Sequence, residues 1–196
     1  MSTTGAIPLP ALPALPAAAG HLPTGAKATA EIAGFRVETP LGRLTLSGDD
    51  HHVTHLFLPN AAVAVIRAPR AGGVPDGGPP AAVSTAQRQL EEYFAGHRRS
   101  FELPLAPSGT AFQRQVWFAL ADIPYGETIS YAELAARVGR PRAFRAVGQA
   151  NGANPIPIIL PCHRVIASDG GIGGYGGGLD LKRQLLALEE AHRQRT

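Results

Sequence analysis

The only cysteine of the chain, Cys162, lies directly before a histidine and an arginine, His163 and Arg164. A thiol becomes a strong nucleophile when it ionises, and a neighbouring basic or cationic group favours that ionisation. A lone cysteine is more often an inert core residue, but the adjacent polar pair argues against that interpretation here. Side chains at neighbouring positions do not point at each other, so we expect His163 to act as a base through a bridging water. The run predicts nucleophilic chemistry at Cys162.

A carboxylate that orients the histidine would complete a proton relay, and the last predicted helix offers one. Glu189 lies between Leu185 and Leu186 on the helical wheel, inside the apolar arc, whereas Glu190 lies outside it. A carboxylate at the edge of a buried stripe usually has a partner, although a surface salt bridge explains this position equally well. We take Glu189 as the candidate orienting residue for His163.

The segment before the cysteine is rigid and apolar. Pro155, Pro157 and Pro161 break any helix and restrict the backbone, while the apolar run 158–160 favours burial. Cys162 should therefore sit at the end of a rigid, buried stretch.

The segment after it, residues 168–178, is mostly glycine apart from Ile172 and Tyr175. It lacks the Gly-Lys-Ser/Thr ending of a phosphate-binding P-loop. It predicts a loop that lines a pocket, with Tyr175 packing on a planar ligand. A simple connector is the alternative.

Two short helices with a glycine-containing turn between them precede the cysteine segment. Ser130 and Glu133 form a capping-box pattern, and the run 138–141 ends one helix before the next begins at Arg142. This arrangement is typical of a helix-turn-helix, and an ordinary helical hairpin fits it equally well.

The second of these helices has an unusual surface for a DNA-recognition helix. Phe144 and Val147 are expected to face inward, which leaves a polar row and a row of small residues outside: Arg142, Arg145 and Gln149, and Ala143, Ala146 and Ala150. A reader of the major groove usually carries several long polar side chains. Small residues instead allow close approach to a narrow groove, where the single long Arg145 could enter the base stack. A solvated charge or a phosphate contact is the alternative for Arg145.

These residues fall into two predicted domains behind an N-terminal arm. Residues 1–30, rich in Ala, Pro and Gly, predict a disordered arm, although their leucines could instead dock on the body or a partner. Residues 31–107 predict a small α/β domain, and residues 108–196 a mainly α-helical domain that contains the helix-turn-helix.

The α/β domain is predicted to contain a hairpin that turns at 39–42, a strand at 53–58, a loop at 67–80, a helix at 84–95 capped by Ser84, and a strand at 101–105. The helical domain is predicted to contain helices at 112–120, 131–138, 142–151 and 179–193.

The composition is that of a globular protein: 196 residues, 44% hydrophobic, with a net charge of +3 and a pI near 9.4. This modest excess of positive charge is compatible with a polyanionic partner without requiring one. One cysteine excludes an internal disulfide framework and a multi-cysteine structural zinc site. No apolar run approaches the roughly 20 residues of a membrane helix, and the N-terminus lacks a signal-peptide pattern. We expect a cytosolic protein.

The segment 111–189 closely resembles the O6-alkylguanine-DNA alkyltransferases, also called methylated-DNA–protein-cysteine methyltransferases. The matching pieces agree in order and spacing: 129–131, 145–148, 154–155, 161–165, 173–179 and Glu189. The N-terminal half resembles the ribonuclease-H-like α/β domain of that family more loosely. The resemblance implies direct-reversal DNA repair, in which the alkyl group of O6-alkylguanine is transferred once to Cys162. O4-alkylthymine is a second candidate substrate.

The resemblance also implies a role for each matching residue. Cys162 would attack the alkyl carbon, His163 would act through water, and Glu189 would orient His163. Tyr131 would donate toward the guanine and crowd the target phosphate, and Arg145 would fill the stack after base flipping. The remaining implied contacts are Arg142, Ala143 and Ala146 on DNA, and Asn154, Pro157, the Val165 backbone, Tyr175 and Gly176 around the substrate.

The implied partner is double-stranded DNA that contains alkylated guanine, with no cofactor and no membrane. We expect a monomer in the cytoplasm, at the nucleoid if the source is bacterial, that binds DNA either independently or cooperatively. Three features depart from some members. Gly176 stands where some members carry serine, so only its backbone amide can contact the substrate. The N-terminal half has no cysteine for the structural zinc of some members, and His51, His52 and His55 are too few to replace that site. The arm at residues 1–30 has no counterpart in the family.

Three other functions fit the sequence less well. Binding-only alkyltransferase-like relatives replace the nucleophile, whereas Cys162 is present here. A helix-turn-helix regulator is disfavoured by the bare second helix, and a cysteine hydrolase needs an oxyanion hole that no motif specifies.

Overall fold

A computed structural model of the protein describes residues 32–59, 66–67 and 78–194. The predicted arm, 1–30, lies outside the described residues, as does most of the loop predicted at 67–80. An antiparallel sheet with one helix comes first, and a group of helices follows. The predicted fold class, an α/β part followed by a mainly helical part, is confirmed.

The elements of the α/β part are β1 (Ile32–Ala33), β2 (Phe35–Thr39), β3 (Gly42–Gly48), β4 (Val53–Phe57), β5 (Ile66–Arg67) and α1 (Ala81–Phe94). Strands β2 and β3 form the hairpin that the sequence predicted. Strands β2, β3 and β4 form one antiparallel sheet, and β1 pairs with β5 in parallel. Thr39 pairs with Gly42 across the turn, and the Thr39 hydroxyl donates to the Gly42 carbonyl. Gly42 has a φ of +103°, which favours glycine at this position.

One face of this sheet is buried against α1. Val37, Leu44 and Leu46 alternate along β2 and β3, and each is almost fully buried. The apolar side of α1, including Val83 and Leu90, packs against the same strands. Apolar side chains that recur every two residues in the strands and about every 3.6 residues in the helix thus give each element one apolar face, and these faces pack into one core.

Helix α1 begins three residues earlier than predicted, so the prediction that Ser84 caps it was wrong. Pro80 occupies the N-cap position and its side chain makes no cap hydrogen bond. The Asp50 carboxylate, from the loop between β3 and β4, accepts a hydrogen bond from the Ala81 backbone amide at 3.0 Å. Ser84 lies inside the helix, and its hydroxyl donates to the Pro79 carbonyl. A residue 31 positions away therefore supplies the cap.

The strand predicted at 101–105 does not form. Only Leu105 makes a bridge, with Val53. Earlier in the segment, the Gln89 side chain hydrogen-bonds both backbone groups of Glu102: it donates to the carbonyl and accepts from the amide. Pro104 has no amide to donate to a ladder. At Glu102 a side chain of α1 therefore bonds the backbone groups that a neighbouring strand would pair, while backbone bonds to β4 are made only further along, by Val53 with Pro104 and Ala106.

The helical part contains α2 (Ala111–Leu120), β6 (Ile129–Ser130), α3 (Tyr131–Arg137), α4 (Phe144–Gly152), a 3-10 turn (Cys162–Arg164), β7 (Val165–Ile166) and α5 (Leu179–Arg193). The capping box predicted for Ser130 and Glu133 is confirmed, since each side chain accepts a hydrogen bond from the other's backbone amide. The predicted helices at 112–120, 131–138 and 179–193 are confirmed to within one residue.

Helix α4 begins at Phe144, two residues later than predicted, and two predictions about its faces were wrong. Phe144 was expected to face inward, but it is 48% exposed. Burial starts one turn later, at Val147, and the Phe144 ring instead lies near the Arg145 guanidinium, 5.9 Å away. Ala150, expected in the outer small row, is buried with Val147 because it follows one turn further along the same face.

A short parallel pairing joins the helix-turn-helix to the cysteine turn. Ile129 pairs with Val165 and Ser130 pairs with Ile166. Since Ser130 caps α3 and Val165 follows the Cys162–Arg164 turn, this pairing places the start of α3 beside the cysteine.

We predict that Asp50→Ala lowers the free energy of unfolding by about 1 kcal/mol, the usual cost of losing an N-cap acceptor. Urea unfolding followed by circular dichroism would measure it. Asp122→Ala, which removes an exposed carboxylate outside the helices, serves as the control and should change stability much less. Equal losses in both variants would show that Asp50 does not cap α1.

Candidate active site

Cys162 lies in a tight turn at the end of a buried segment, as predicted. Ile158, Ile159 and Leu160 are each less than 5% exposed, and Cys162 itself is 5% exposed. Burial raises the pKa of the Cys162 thiol to about 11, despite a hydrogen bond from Asn154 and the charge of Lys182. The group at rest is therefore a protonated thiol, and it needs a base to react.

The backbone leading to Cys162 is strained, and Asn154 holds it in place. Ile158 has a φ of +72°, a conformation that a β-branched residue rarely adopts. The Asn154 side chain donates to the Leu160 carbonyl at 2.7 Å and accepts from the Ile156 amide at 3.0 Å. It thus joins both sides of the strained residue. The structure places Asn154 on the cysteine segment and beside the thiol, at the end of α4.

His163 and Glu189 form a fully buried pair. The His163 Nε2 lies 2.8 Å from the Glu189 Oε1, and neither side chain is exposed. Burial lowers the pKa of His163, so the imidazole is neutral. Because an ionised carboxylate can only accept, Nε2 carries the proton and Nδ1 has the free lone pair. Among the described residues, Nδ1 has no hydrogen-bond partner.

The Glu189 carboxylate is also held by residues that sequence reasoning missed. The Arg164 Nε lies 3.0 Å from Oε2 and its NH2 group 2.9 Å from Oε1. The Tyr93 hydroxyl donates to Oε1 at 2.6 Å, and the Gly126 amide donates to Oε2 at 3.0 Å. Burial alone would raise the pKa of Glu189, but the hydrogen bonds and charges of His163 and Arg164 outweigh it and lower the pKa to about 2. The carboxylate is therefore ionised.

Lys182 is a further residue that sequence reasoning missed. Its ammonium group donates to the carbonyls of Val165 and Ile172, at 2.7 and 2.5 Å. It thus fastens the glycine-rich loop to the strand after the cysteine. A signal was present in the sequence, because Lys182 lies three and seven residues before Leu185 and Glu189, on the same buried stripe of α5. Tyr93 had no such signal, since it is 96 residues from Glu189.

A cavity of about 220 Å³ opens beside the cysteine. Five of the predicted site residues line it: Cys162, Asn154, Pro157, Tyr175 and Gly176. Another part of the lining, which the sequence did not predict, comes from β4 and the residue after it, 55–58. Both parts of the chain therefore shape the pocket.

The glycine-rich loop must pass very close to this part of the lining. A methyl group added at Gly177 would lie 2.6 Å from Leu58 and 2.7 Å from Leu181, so a side chain there would force these leucines apart. The Tyr175 ring lies edge-on to His163, with 6.5 Å between ring centres. The loop therefore packs as part of the pocket.

Tyr131 and Val165 do not line the cavity. Tyr131 is half-buried at the start of α3, where burial and the nearby Cys162 raise its pKa. Val165 is fully buried, and its carbonyl already accepts from Lys182.

The predicted DNA-facing residues are on the surface. Arg142, Arg145 and Ala146 are exposed, and Ala143 is partly exposed. They lie at or just before the first turn of α4.

Within residues 32–59, 66–67 and 78–194, no group of three or more His, Cys, Asp or Glu side chains could hold a metal ion. In the same described part of the chain, no helix is long and apolar enough to cross a membrane.

Known protein families match nearly the whole described chain. Residues 111–191 match the family described as 6-O-methylguanine DNA methyltransferase, DNA binding domain, and residues 36–107 match its ribonuclease-like domain. The methylated-DNA–protein-cysteine methyltransferase of Methanosarcina barkeri is 50% identical over 155 residues, which cover 79% of this chain and 94% of the relative. The constitutive enzyme of the same name from Bacillus subtilis is 46% identical, covering 78% and 92%.

Solved structures give the same assignment. The crystal structure of Mycobacterium tuberculosis OGT in complex with DNA is similar with a TM-score of 0.72 and 44% identity, covering 82% of this chain and 94% of that one. The crystal structure of the Mycobacterium tuberculosis O6-methylguanine methyltransferase is similar with a TM-score of 0.69 and 46% identity, over the same shares. The chain therefore belongs to the 6-O-methylguanine DNA methyltransferase family, and is a DNA-repair alkyltransferase with a ribonuclease-like N-terminal domain and a helical DNA-binding domain.

Proposed function

We propose that Cys162 accepts an alkyl group directly from the O6 of a guanine that has been rotated out of double-stranded DNA. The observation that carries this proposal is the buried thiol beside a cavity and next to a neutral histidine, whose Nδ1 is free and whose Nε2 is held by a buried carboxylate. The new bond joins sulfur to the alkyl carbon, and the bond from that carbon to O6 breaks.

The thiol proton leaves through the histidine. With a pKa of about 11, the thiol is ionised in only about one molecule in ten thousand at pH 7. A water between Cys162 and His163 passes the proton to the free Nδ1. The resulting imidazolium is stabilised by Glu189, whose Oε1 lies 2.8 Å from Nε2. The sulfur gains negative charge only as the transfer begins.

Base rotation follows from the depth of the cysteine. A thiol that is 5% exposed cannot reach a base inside a stacked duplex. The exposed start of α4, with small Ala143 and Ala146, lies close to the DNA, while Arg142 contacts it and Arg145 fills the vacated place in the stack. Tyr131 crowds the target phosphate and donates to the guanine as it leaves.

Cavity residues and the Val165 backbone hold the rotated base. The Val165 carbonyl, outside the cavity lining, accepts from the exocyclic amine with its second lone pair. Tyr175 packs on the base, the Gly176 amide reaches the alkylated oxygen, and Asn154 and Pro157 form the floor beside the thiol. Because a thioether has no easy route back to a thiol, each molecule acts once. The protein acts as a monomer in the cytoplasm and without a cofactor.

The direct test is mass spectrometry after the protein is mixed with a duplex oligonucleotide that contains one O6-methylguanine. We expect one added methyl on the peptide that contains Cys162, restored guanine in the DNA, and no further reaction after one equivalent. Cys162→Ser should bind the duplex without modification. An unmodified Cys162 peptide in protein that has bound the DNA would contradict the proposal.

Arg145→Ala tests base rotation. The variant should repair duplex DNA at least about ten-fold more slowly, because the gap in the stack is left unfilled. Its rate with free O6-alkylguanine base should stay near normal. Arg43→Ala, which removes an exposed arginine of the β2–β3 hairpin, is the charge-matched control. Equal losses on duplex and free base would exclude the stacking role.

Glu189→Gln tests the relay. It should slow transfer by about 100-fold, the lower range for a general base, with DNA affinity nearly unchanged.

In the unmodified protein, the rate should fall with decreasing pH only below the ordinary histidine pKa of 6.5, because burial lowers the pKa of His163 and the imidazole must be neutral to accept a proton. Single-turnover rates across pH would measure both effects. A normal rate in Glu189→Gln would remove Glu189 from the mechanism.

A further inference from the structure

A tyrosine of the N-terminal domain reaches the buried relay. Tyr93 lies in α1, fully buried, and its hydroxyl donates to the Glu189 Oε1 at 2.6 Å. Its ring is fixed by three aromatic neighbours, Phe94, Phe101 and Tyr125, with ring centres 5.2 to 5.7 Å away. The hydroxyl is therefore held in position by rigid packing on all sides of the ring.

This hydrogen bond goes to the same oxygen that faces His163. Oε1 accepts from Tyr93 and His163, and the Arg164 NH2 group also donates to it. Burial and the charge of Glu189 raise the pKa of Tyr93 well above its ordinary value, so the phenol keeps its proton and remains the donor. The negative charge that would stabilise a protonated His163 is thus shared among several donors.

We propose that Tyr93 is a positioning residue of the alkyl transfer, through which the N-terminal domain fixes the orientation of Glu189 and limits the proton affinity of His163. The inference rests on the relay in the proposed function. Tyr93 touches neither substrate nor reacting atoms, and it acts through Glu189. The other titratable or charged groups that face this pair are Arg164, Lys182, Cys162, Tyr125 and Tyr175.

Removing only the hydroxyl tests the idea, because Tyr93→Phe keeps the ring and its packing. Transfer from a methylated duplex at neutral pH should slow by roughly ten- to a hundred-fold, because Glu189 loses one of the hydrogen bonds that position it against His163, and this is the size expected for losing one hydrogen bond to a charged group. Glu189 would then hold an imidazolium more strongly, so the pKa of His163 rises. The acid limb of the rate profile should therefore move up by about half a pH unit or more.

Tyr125→Phe is the matched control. It removes a hydroxyl from the same aromatic cluster, but that hydroxyl lies 3.3 Å from His192 Nδ1 and makes no hydrogen bond to Glu189. This variant should keep the normal rate and the normal acid limb. A Tyr93→Phe protein that slows without any shift of the acid limb would overturn the inference.

A double-mutant cycle separates this inference from the relay itself. If Tyr93 acts through Glu189, adding Tyr93→Phe to Glu189→Gln should change the rate less than about two-fold. Equal slowing in both backgrounds would overturn the inference. A slow Glu189→Gln protein with a normal Tyr93→Phe protein would reject the role of Tyr93 alone, whereas a normal Glu189→Gln protein would reject the relay.

Discussion

The site depends on one buried charge, the carboxylate of Glu189. An ionised carboxylate without water must be paired and fully hydrogen-bonded, or its burial is strongly unfavourable. Here the donors to Glu189 of α5 come from three separate segments: Tyr93 in α1, Gly126 before β6, and His163 and Arg164 in the cysteine turn. The carboxylate therefore has all of its partners only when both domains and the cysteine turn are assembled.

The same burial keeps the thiol unreactive until a substrate arrives. A protonated cysteine with little exposure is a poor target for oxidants and for stray electrophiles, which react with accessible thiolates. A protein that reacts once loses its function if that thiol is consumed by a side reaction. A Cys162 thiol with a raised pKa, beside a neutral His163, thus suits a protein that accepts one alkyl group better than a permanently ionised thiolate would.

Geometry around the thiol is set in advance by rigid contacts. Asn154 joins both sides of the strained Ile158, and Lys182 fastens the glycine-rich loop to the strand that follows the cysteine. Strain of this kind persists only where the surrounding contacts over-determine the backbone. The cavity is consequently formed before the base enters, and part of its lining, from β4, belongs to the other domain.

The sequence by itself determined the local features. It gave the hairpin, the capping box at Ser130, the apolar run before Cys162 and the position of Glu189 on a buried stripe, because each depends on residues within one turn or one strand. Tertiary structure alone decided the features that join distant segments: the cap of α1 by Asp50, the use of Gln89 in place of a strand, the β4 wall of the cavity and the bond from Tyr93 to Glu189. Their partners lie up to 96 residues apart, and no periodicity of a single helix or strand records which segments will meet when the core packs.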